Sequence, residues 1–365
     1  MNGPYSWNFQ YANIDPHQEH FRFPEVAVIV SCYNYADYIG RCLDSILKQT
    51  YTNFKCVIVD DCSLDRSVEV VEGFIKSHNL EGRFQLIRHD ENGGQMEAFK
   101  TGLKHTEGIF VVFVDADDQL FEDFLWTHVK AHLNFMPVAF TSSNQFQINE
   151  KNEIIAGMHP DLSHKGQNTV VRPLPLQMAY WVWATTSSMM FRRSTLDIIM
   201  PEDSRPFRIC ADNYICHFAN LIGGSLLIPT VHGSYRRHSK NGFSINPILG
   251  GRLPTGDLRQ HPSHVTLLEC ILAHLLKYHE QFISLLSLKR FMYALSYILT
   301  PYDILFDNDN IREIVSLGVN RYVLFFLTNL TFLQLSVLYF GRLFRKRNVS
   351  RKVPLDVETY DCAYL

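Results

Sequence analysis

The sequence predicts an α/β domain, built on a mostly parallel central sheet with helices on both faces, followed by a helical region. Three observations carry this. From Val26 onward, short runs of branched and aromatic residues alternate with amphipathic stretches, at the spacing of βαβ units with helices of about ten to fifteen residues. The runs are apolar on both faces, as strands covered from either side are. Each run ends in polar residues, and an open parallel sheet collects such residues along one edge, outside the carboxyl ends of its strands.

The elements follow in order. "VAVIVS" (26–31) is the first strand, and the next stretch sets Ile39, Cys42, Leu43, Ile46 and Leu47 on one helical face. "FKCVIVD" (54–60) is the second strand. Asp65 is placed to cap the helix "RSVEVVEGFIKSH". "FQLIR" is the third strand, the pair Gly93-Gly94 turns the chain into a helix through "MEAFKTGLKH", and "IFVVFVD" (109–115) is the fourth strand. After Pro137 the alternation breaks down. "WVWATTSSMMFRR" reads as a strand leading to a helix capped by Ser194, and "ADNYICHFANLIGG" as a short helix closed by Gly223. "GSLLIPTVHGSYRRHSKNGFS" reads as a strand pair and a basic loop. The chain is then helical from Ser263 to about Thr300, where Pro301 stops it.

Composition narrows the function. A chain of 365 residues, 46% hydrophobic and 19% charged, can bury a large core. Its net charge of −3 gives no global pull toward nucleic acid. The eight cysteines fall on apolar patterns without a CxxC pair, which argues against structural zinc and fits a reduced, cytosolic compartment. Residues 1–25 lack a basic segment followed by an apolar one and read as an extension rather than a signal peptide.

The sharpest feature is "VDADD", where an apolar strand runs straight into Asp115, Asp117 and Asp118. Three acids this close repel one another unless a cation or a set of donors offsets them. An acidic turn before a helix, with Asp118 or Glu122 favouring the dipole, is the other reading. The other strand ends bring Ser31 to Asn34, Asp60 with Asp61, and His89 to Gln95 to the same edge.

These stretches, together with "ENGGQMEAFKTGL", "ADNYICH" and "YRRHSKN", resemble glycosyltransferase family 2, inverting sugar transferases of the GT-A fold, over about 26–244. The resemblance implies a GT-A domain at 26–245, with a nucleotide-binding half (26–136) and an acceptor half (137–245). It implies transfer of a sugar from a nucleotide-diphosphate donor to an acceptor hydroxyl, with Mn2+ or Mg2+. The acids match the family's D-x-D motif, which puts Asp117 or Asp118 on the metal, Asp117 in preference, and Asp115 near the ribose or the metal shell. Asp61 is expected to accept from the ring N–H of uracil, with Asp60 turned toward the backbone or the loop. A turn-forming role is the alternative. Ser31 and Tyr33 match positions lining the base, Tyr33 as a stacking ring, and Gly94 lies near the pyrophosphate. The family's catalytic base follows a Glu, and here the pair is Ala211-Asp212. Asp212 is the expected base, with capping of its helix the alternative. Arg237 and His238 are expected at the phosphates or the metal, against a solvated basic loop. UDP is favoured, although thymine offers the same ring N–H.

Two rivals are weighed. A sugar nucleotidylyltransferase would carry a Gly-rich Arg-Lys loop after the first strand, and "SCYNYADY" is not one. A degenerate GT-A domain serving as a binding or scaffold protein would suit Ala211 in place of Glu, but not the intact acids. In the helical region (246–347), the uncharged run 322–340 precedes Arg342, Arg345, Lys346, Arg347, Arg351 and Lys352, and residues 348–365 form a tail. An interfacial helix at 322–347, with 322–352 meeting an anionic inner leaflet, is expected, a core or dimer helix or a span being the alternatives. This implies a cytoplasmic protein peripheral to the membrane, acting on a glycan or lipid-linked acceptor.

Overall fold

The computed structural model describes residues 23–134, 137–157, 166–171, 181–238 and 262–299. The expected interfacial helix, its basic flank and the tail lie outside the described residues. The fold starts before Val26. Phe23 meets Tyr51 and Trp126 edge-on, at 6.2 and 5.4 Å between ring centroids, and its carbonyl accepts from Asn53 Nδ2. The chain divides into two compact units, Met1–Arg172 with Val182–Leu249, and Pro173–Trp181 with Gly250–Leu365.

In the first unit, β1 (Val26–Cys32), β2 (Phe54–Asp60), β3 (Phe84–Arg88) and β4 (Phe110–Asp115) pair in parallel in the order β3-β2-β1-β4. Between them run α1 (Ile39–Leu47), α2 (Ser67–Ser77) and α3 (Gln95–Lys104). The expected burial on both faces holds. Val28 and Val30 share a core with Ile39, Cys42, Leu43 and Ile46 of α1, Val71 of α2, and Phe124, Leu125 and Val129 of α4 (Phe124–Asn134). Val57 and Val59 meet Ala98 of α3 on the other face. There Gly102 lies against Ile29, whose Cγ2 would be 2.2 Å from an added Cβ. A side chain at 102 would push α3 off the sheet. Each fully buried aliphatic side chain contributes about 1.5–3 kcal/mol, so this double-sided core holds the strand ends in place.

The remaining strands are β5 (Gln119–Leu120), β6 (Phe140–Ile148), β7 (Ile154–Ala156), β8 (Thr169–Val171), β9 (Met189–Arg192) and β10 (Ser225–Arg236), with α5 (Arg193–Ile199) and α6 (Ala211–Gly223). The sheet continues β4-β9-β6-β10-β5, with β7 on β6 and β8 on β10. This half is mixed, since β9 runs antiparallel to β4 and β6 whereas β10 is parallel to β6.

Four local expectations change. The stretch from Ser225 is one long strand with two register shifts, not a strand pair. Ser194 lies inside α5, whose capping position is Arg192. Gly223 is the last residue of α6, and Gly224, at φ 70°, ends it. Asp65 sits one residue before the capping position of α2, yet its Oδ1 accepts from the Ser67 N–H at 2.9 Å and so still satisfies the helix terminus.

The second unit contains α7 (Pro262–Lys277) and α8 (His279–Leu299), with Leu267, Ile271 and Leu275 of α7 and Phe282, Leu295 and Ile298 of α8 buried. Ser287, at φ 67°, kinks α8. Among the described residues, no helix is long and apolar enough to cross a membrane.

Candidate active site

Strand order reverses at β1, which lies between β2 and β4, and an open α/β sheet forms its ligand crevice at such a point. Register alone brings the predicted residues together there, pairing Ser31 with Asp115 and Cys32 with Asp60. Asp115 Oδ1 accepts from Gln95 Nε2 at 2.9 Å and from Ser31 Oγ at 3.4 Å, and its backbone N–H donates to Ser187 Oγ at 3.0 Å. Burial, then the nearby Asp117 and Asp212, pushes the Asp115 carboxyl up to about 7. The repulsion expected within "DADD" is therefore present.

Asp117 Oδ2 lies 2.8 Å from His238 Nε2, and both side chains are nearly inaccessible. The His238 ring stacks on Tyr38, with centroids 4.7 Å apart, and meets Tyr35 edge-on. Asp118 keeps one oxygen open, its Oδ2 being buried with no hydrogen-bond partner. It is fully buried, its Oδ1 accepts the Arg236 N–H at 2.9 Å, and Arg236 Nε donates to the Asp117 carbonyl at 2.8 Å. In this geometry Asp118 joins the acid turn to β10. Arg237 likewise keeps one buried, unpartnered nitrogen, Nη2. Its N–H donates to the Ile148 carbonyl, and its guanidinium lies over Tyr235, 6.0 Å from the ring centroid. Successive residues of an extended chain face opposite ways, so Arg236 and His238 reach the acids while Arg237 turns away. Reading that alternation through "SYRRH" would have selected Arg236.

At the end of β2 the two acids divide their work. Asp61 Oδ1 accepts from the Gly93 N–H at 2.8 Å and Oδ2 from the Gly94 N–H at 2.7 Å, while His89 Nδ1 approaches Oδ1 at 2.8 Å. Asp61 thus braces the glycine turn. Asp60 Oδ2 accepts from the Ser63 N–H, as a backbone-facing role predicts, but its Oδ1 is buried with no hydrogen-bond partner. The acceptor left open at this strand end therefore belongs to Asp60. Tyr33, 41% exposed at the end of β1, presents its ring to solvent.

The second half of the sheet domain is fastened to this crevice at the glycine turn. Gly94, at φ 86° and ψ 174°, lies so close to Arg208 that an added Cβ would be 2.5 Å from its Cα. The Gln95 N–H donates to the Arg208 carbonyl at 2.8 Å, and Gln95 Oε1 accepts from the Ala211 N–H at 2.9 Å. One carboxamide thus joins Asp115 to the start of α6. Asp212, 8% exposed, accepts from Thr186 Oγ1 at 3.0 Å through Oδ2 and from the Asn213 N–H at 2.9 Å through Oδ1. Burial raises its carboxyl above the ordinary range, and the Thr186 bond opposes this. The capping position of α6 is Cys210, in the left-handed region, so Asp212 is not the cap. Thr186 and Ser187 went unnoticed in the sequence, and Gln95 was read only as the last residue of a strand-end cluster. Isolated polar residues without a charge carry little signal there.

Among the described residues, no three His, Cys, Asp or Glu side chains cluster in a geometry that would hold a metal by themselves. The pair Asp117 and His238, 2.8 Å apart, offers oxygen and imidazole donors of the kind a divalent cation takes when phosphates complete its shell. The buried, unpartnered Oδ2 of Asp118, next in the chain to Asp117, is the observation that such a cation would relieve.

Parts of the chain are similar to known glycosyltransferases. Residues 27–191 match the family model described as Glycosyl transferase family 2. The chain is 29% identical over 229 residues to an uncharacterised glycosyltransferase of Nostoc, alr2836, covering 60% of this chain and 66% of that protein. It is 41% identical over 96 residues to the poly(ribitol-phosphate) beta-N-acetylglucosaminyltransferase TarS of Staphylococcus aureus, covering 26% of this chain and 16% of that one. Glycosyltransferase GlyA of Streptococcus pneumoniae is 36% identical over 126 residues, with 34% and 17% covered. These matches thus span from under a fifth to about two thirds of the relatives' lengths. The crystal structure of S. aureus TarS 1–349 in complex with UDP-GlcNAc superposes with a TM-score of 0.51 at 19% identity, covering 75% of this chain and 80% of that one. The shared fold is GT-A.

Proposed function

The chain belongs, through residues 27–191, to glycosyl transferase family 2, and on that premise we propose that it is an inverting, metal-dependent transferase that moves a sugar from a nucleotide diphosphate, UDP in preference, to an acceptor hydroxyl. The observation that carries this is the bonded chain Asp115–Gln95–Ala211, which ties the donor-side acid to the start of the helix bearing Asp212. An inverting transfer needs both at once, with the leaving group on one side of the anomeric carbon and a proton acceptor on the other.

The acceptor oxygen forms its bond to the anomeric carbon as the bond from that carbon to the β-phosphate oxygen breaks. The electron pair of the broken bond leaves with the nucleoside diphosphate, and Asp212 takes the hydroxyl proton. A buried carboxylate of raised affinity for protons suits that role. Asp117 and His238, with Asp115 beside them, would hold Mn2+ or Mg2+, which supplies positive charge to the departing diphosphate. Tyr33 offers a stacking face to the base, and Asp60 Oδ1, with Asp61 behind it, offers an acceptor for a pyrimidine ring N–H. The acceptor class we favour is a cell-surface polysaccharide or lipid-linked glycan, and the basic flank 342–352 supports a peripheral place on the cytoplasmic face of a membrane.

The test is thermal stabilisation by a panel of UDP-, dTDP- and GDP-sugars with and without manganese. A donor at a hundred times its Kd adds about 2.7 kcal/mol. Stabilisation by a UDP-sugar only when manganese is present is expected. No response to any member of the panel would refute the reading.

A further inference from the structure

The turn Thr186–Ser188 carries three hydroxyls, and all three are engaged. Ser188 Oγ donates to the Thr185 carbonyl at 2.7 Å and lies 3.0 Å from Ser142 Oγ, bonds that serve the turn itself. Ser187 Oγ accepts the backbone N–H of Asp115. Thr186 Oγ1 alone of the three donates to a carboxylate of α6, Asp212 Oδ2, from a site 4% exposed. The turn is held from behind by Gln145, whose Oε1 accepts from the Thr185 N–H at 3.1 Å and from Thr185 Oγ1 at 2.7 Å.

The geometry points to Thr186 as the positioning residue of the transfer reaction: its hydroxyl fixes the orientation in which Asp212 receives the acceptor's proton. This rests on Asp212 being the base. A carboxylate can rotate about its last bond, and the Asn213 N–H restrains only one of its oxygens. The second restraint sets which lone pair faces the crevice. Threonine suits this because branching at Cβ narrows its χ1 choice, so the hydroxyl is held as well as present. A serine keeps the bond with a looser hold, and a valine keeps the shape without the bond. Gln95 bonds the Ala211 N–H at the start of α6 and not the Asp212 carboxylate, so among the described residues Thr186 is the only side chain seen donating to Asp212.

The experiment compares Thr186→Val, Thr186→Ser and Asp212→Asn, alone and in the Val/Asn combination. Manganese-dependent release of UDP from UDP-N-acetylglucosamine, or from the panel member turned over fastest, is measured with water as the acceptor. Thr186→Val should lower kcat by about 10–100-fold with donor KM within about threefold, as loss of a group that orients a base does. Thr186→Ser should return kcat to within about threefold of the native enzyme. Because Thr186 acts through Asp212, adding Thr186→Val to Asp212→Asn should cost nothing more. Native kcat in the valine variant, additive losses in the pair, or a serine no better than valine would each overturn the assignment. Thr186→Ala repeats the comparison should valine fail to fold. Native turnover in Asp212→Asn would remove the base itself, a failure of the underlying reading that is separate from these outcomes.

Discussion

Replacing Gly94 by alanine tests how the two halves of the site are joined. The backbone there, φ 86° and ψ 174°, lies in a region that only glycine adopts readily, and forcing another residue into it costs on the order of 1–3 kcal/mol. The added Cβ would also stand 2.5 Å from Arg208 Cα and 2.7 Å from the Arg208 carbonyl oxygen. Those are backbone atoms, so no rotamer change relieves the contact. Carbon atoms at rest keep about 3.5 Å or more apart, so the Arg208 segment must retreat by about 1 Å. Overpacking of this kind adds roughly 1–3 kcal/mol. For a domain of about 150–250 residues, each kcal/mol lowers Tm by about 2–4 °C, so a fall of roughly 5–20 °C is expected. The retreating segment leads directly into α6 and Asp212, and a misplacement of about 1 Å at a reacting group costs about a hundredfold in rate. Scanning fluorimetry and UDP-release kinetics read both effects. Gly73→Ala is the control, because its Cβ meets nothing within 4 Å on α2, and helix propensity there should raise stability by about 0.5–1 kcal/mol. A Gly94→Ala enzyme with native Tm and native kcat would refute the reasoning.

Asp212→Asn should lower turnover by about a hundredfold to ten-thousandfold while leaving UDP affinity near native, as calorimetry beside the rate assay will show. Because burial raises the Asp212 carboxyl, the rate should fall as pH drops through a value above the ordinary carboxylate range, and this acid limb should vanish in Asp212→Asn. Asp117→Ala should abolish the difference between UDP titrations with manganese and with EDTA, and equal affinity in the native protein would remove the metal role. His132, buried on α4, has its pKa lowered to about 4, chiefly by desolvation. The unfolded chain therefore takes up this proton first, so stability is held above about pH 6.5 and lost as pH falls toward 4, on the order of 3 kcal/mol from this group. His132→Gln should flatten the pH dependence of Tm across that window, and an unchanged slope would contradict the assignment.

The first four strands and the rim they build were legible because each is apolar on both faces and each ends in a polar cluster. The second half was not. β6, "FTSSNQFQI", is almost wholly buried, yet Thr141 to Gln147 are mostly polar, so neither the apolar run nor the period of two appears. Its burial is supported by hydroxyl and carboxamide partners such as the Ser142–Ser188 and Gln145–Thr185 contacts, which only the folded chain assembles. Asp115 and Asp117 stood out as the acid cluster at a strand end, and Asp212 was singled out through the family resemblance. Which oxygens stay open was not legible, because one oxygen of Asp118 and both of Asp61 are taken by backbone N–H groups of Arg236, Gly93 and Gly94 that lie far away in sequence.

The stitching of the acid turn to β10 also orders events in time. The bonds from Arg236 and His238 to Asp117 and Asp118 span 118, 119 and 121 residues. During synthesis the parallel half is complete well before these partners leave the ribosome, and contacts of such long sequence separation form slowly even in a finished chain. A nascent chain ending before Arg236 would carry all four strands of the parallel half with the acid turn unclosed. Competence to hold a donor should therefore arrive late, as one of the last steps of folding rather than with the domain that displays the motif.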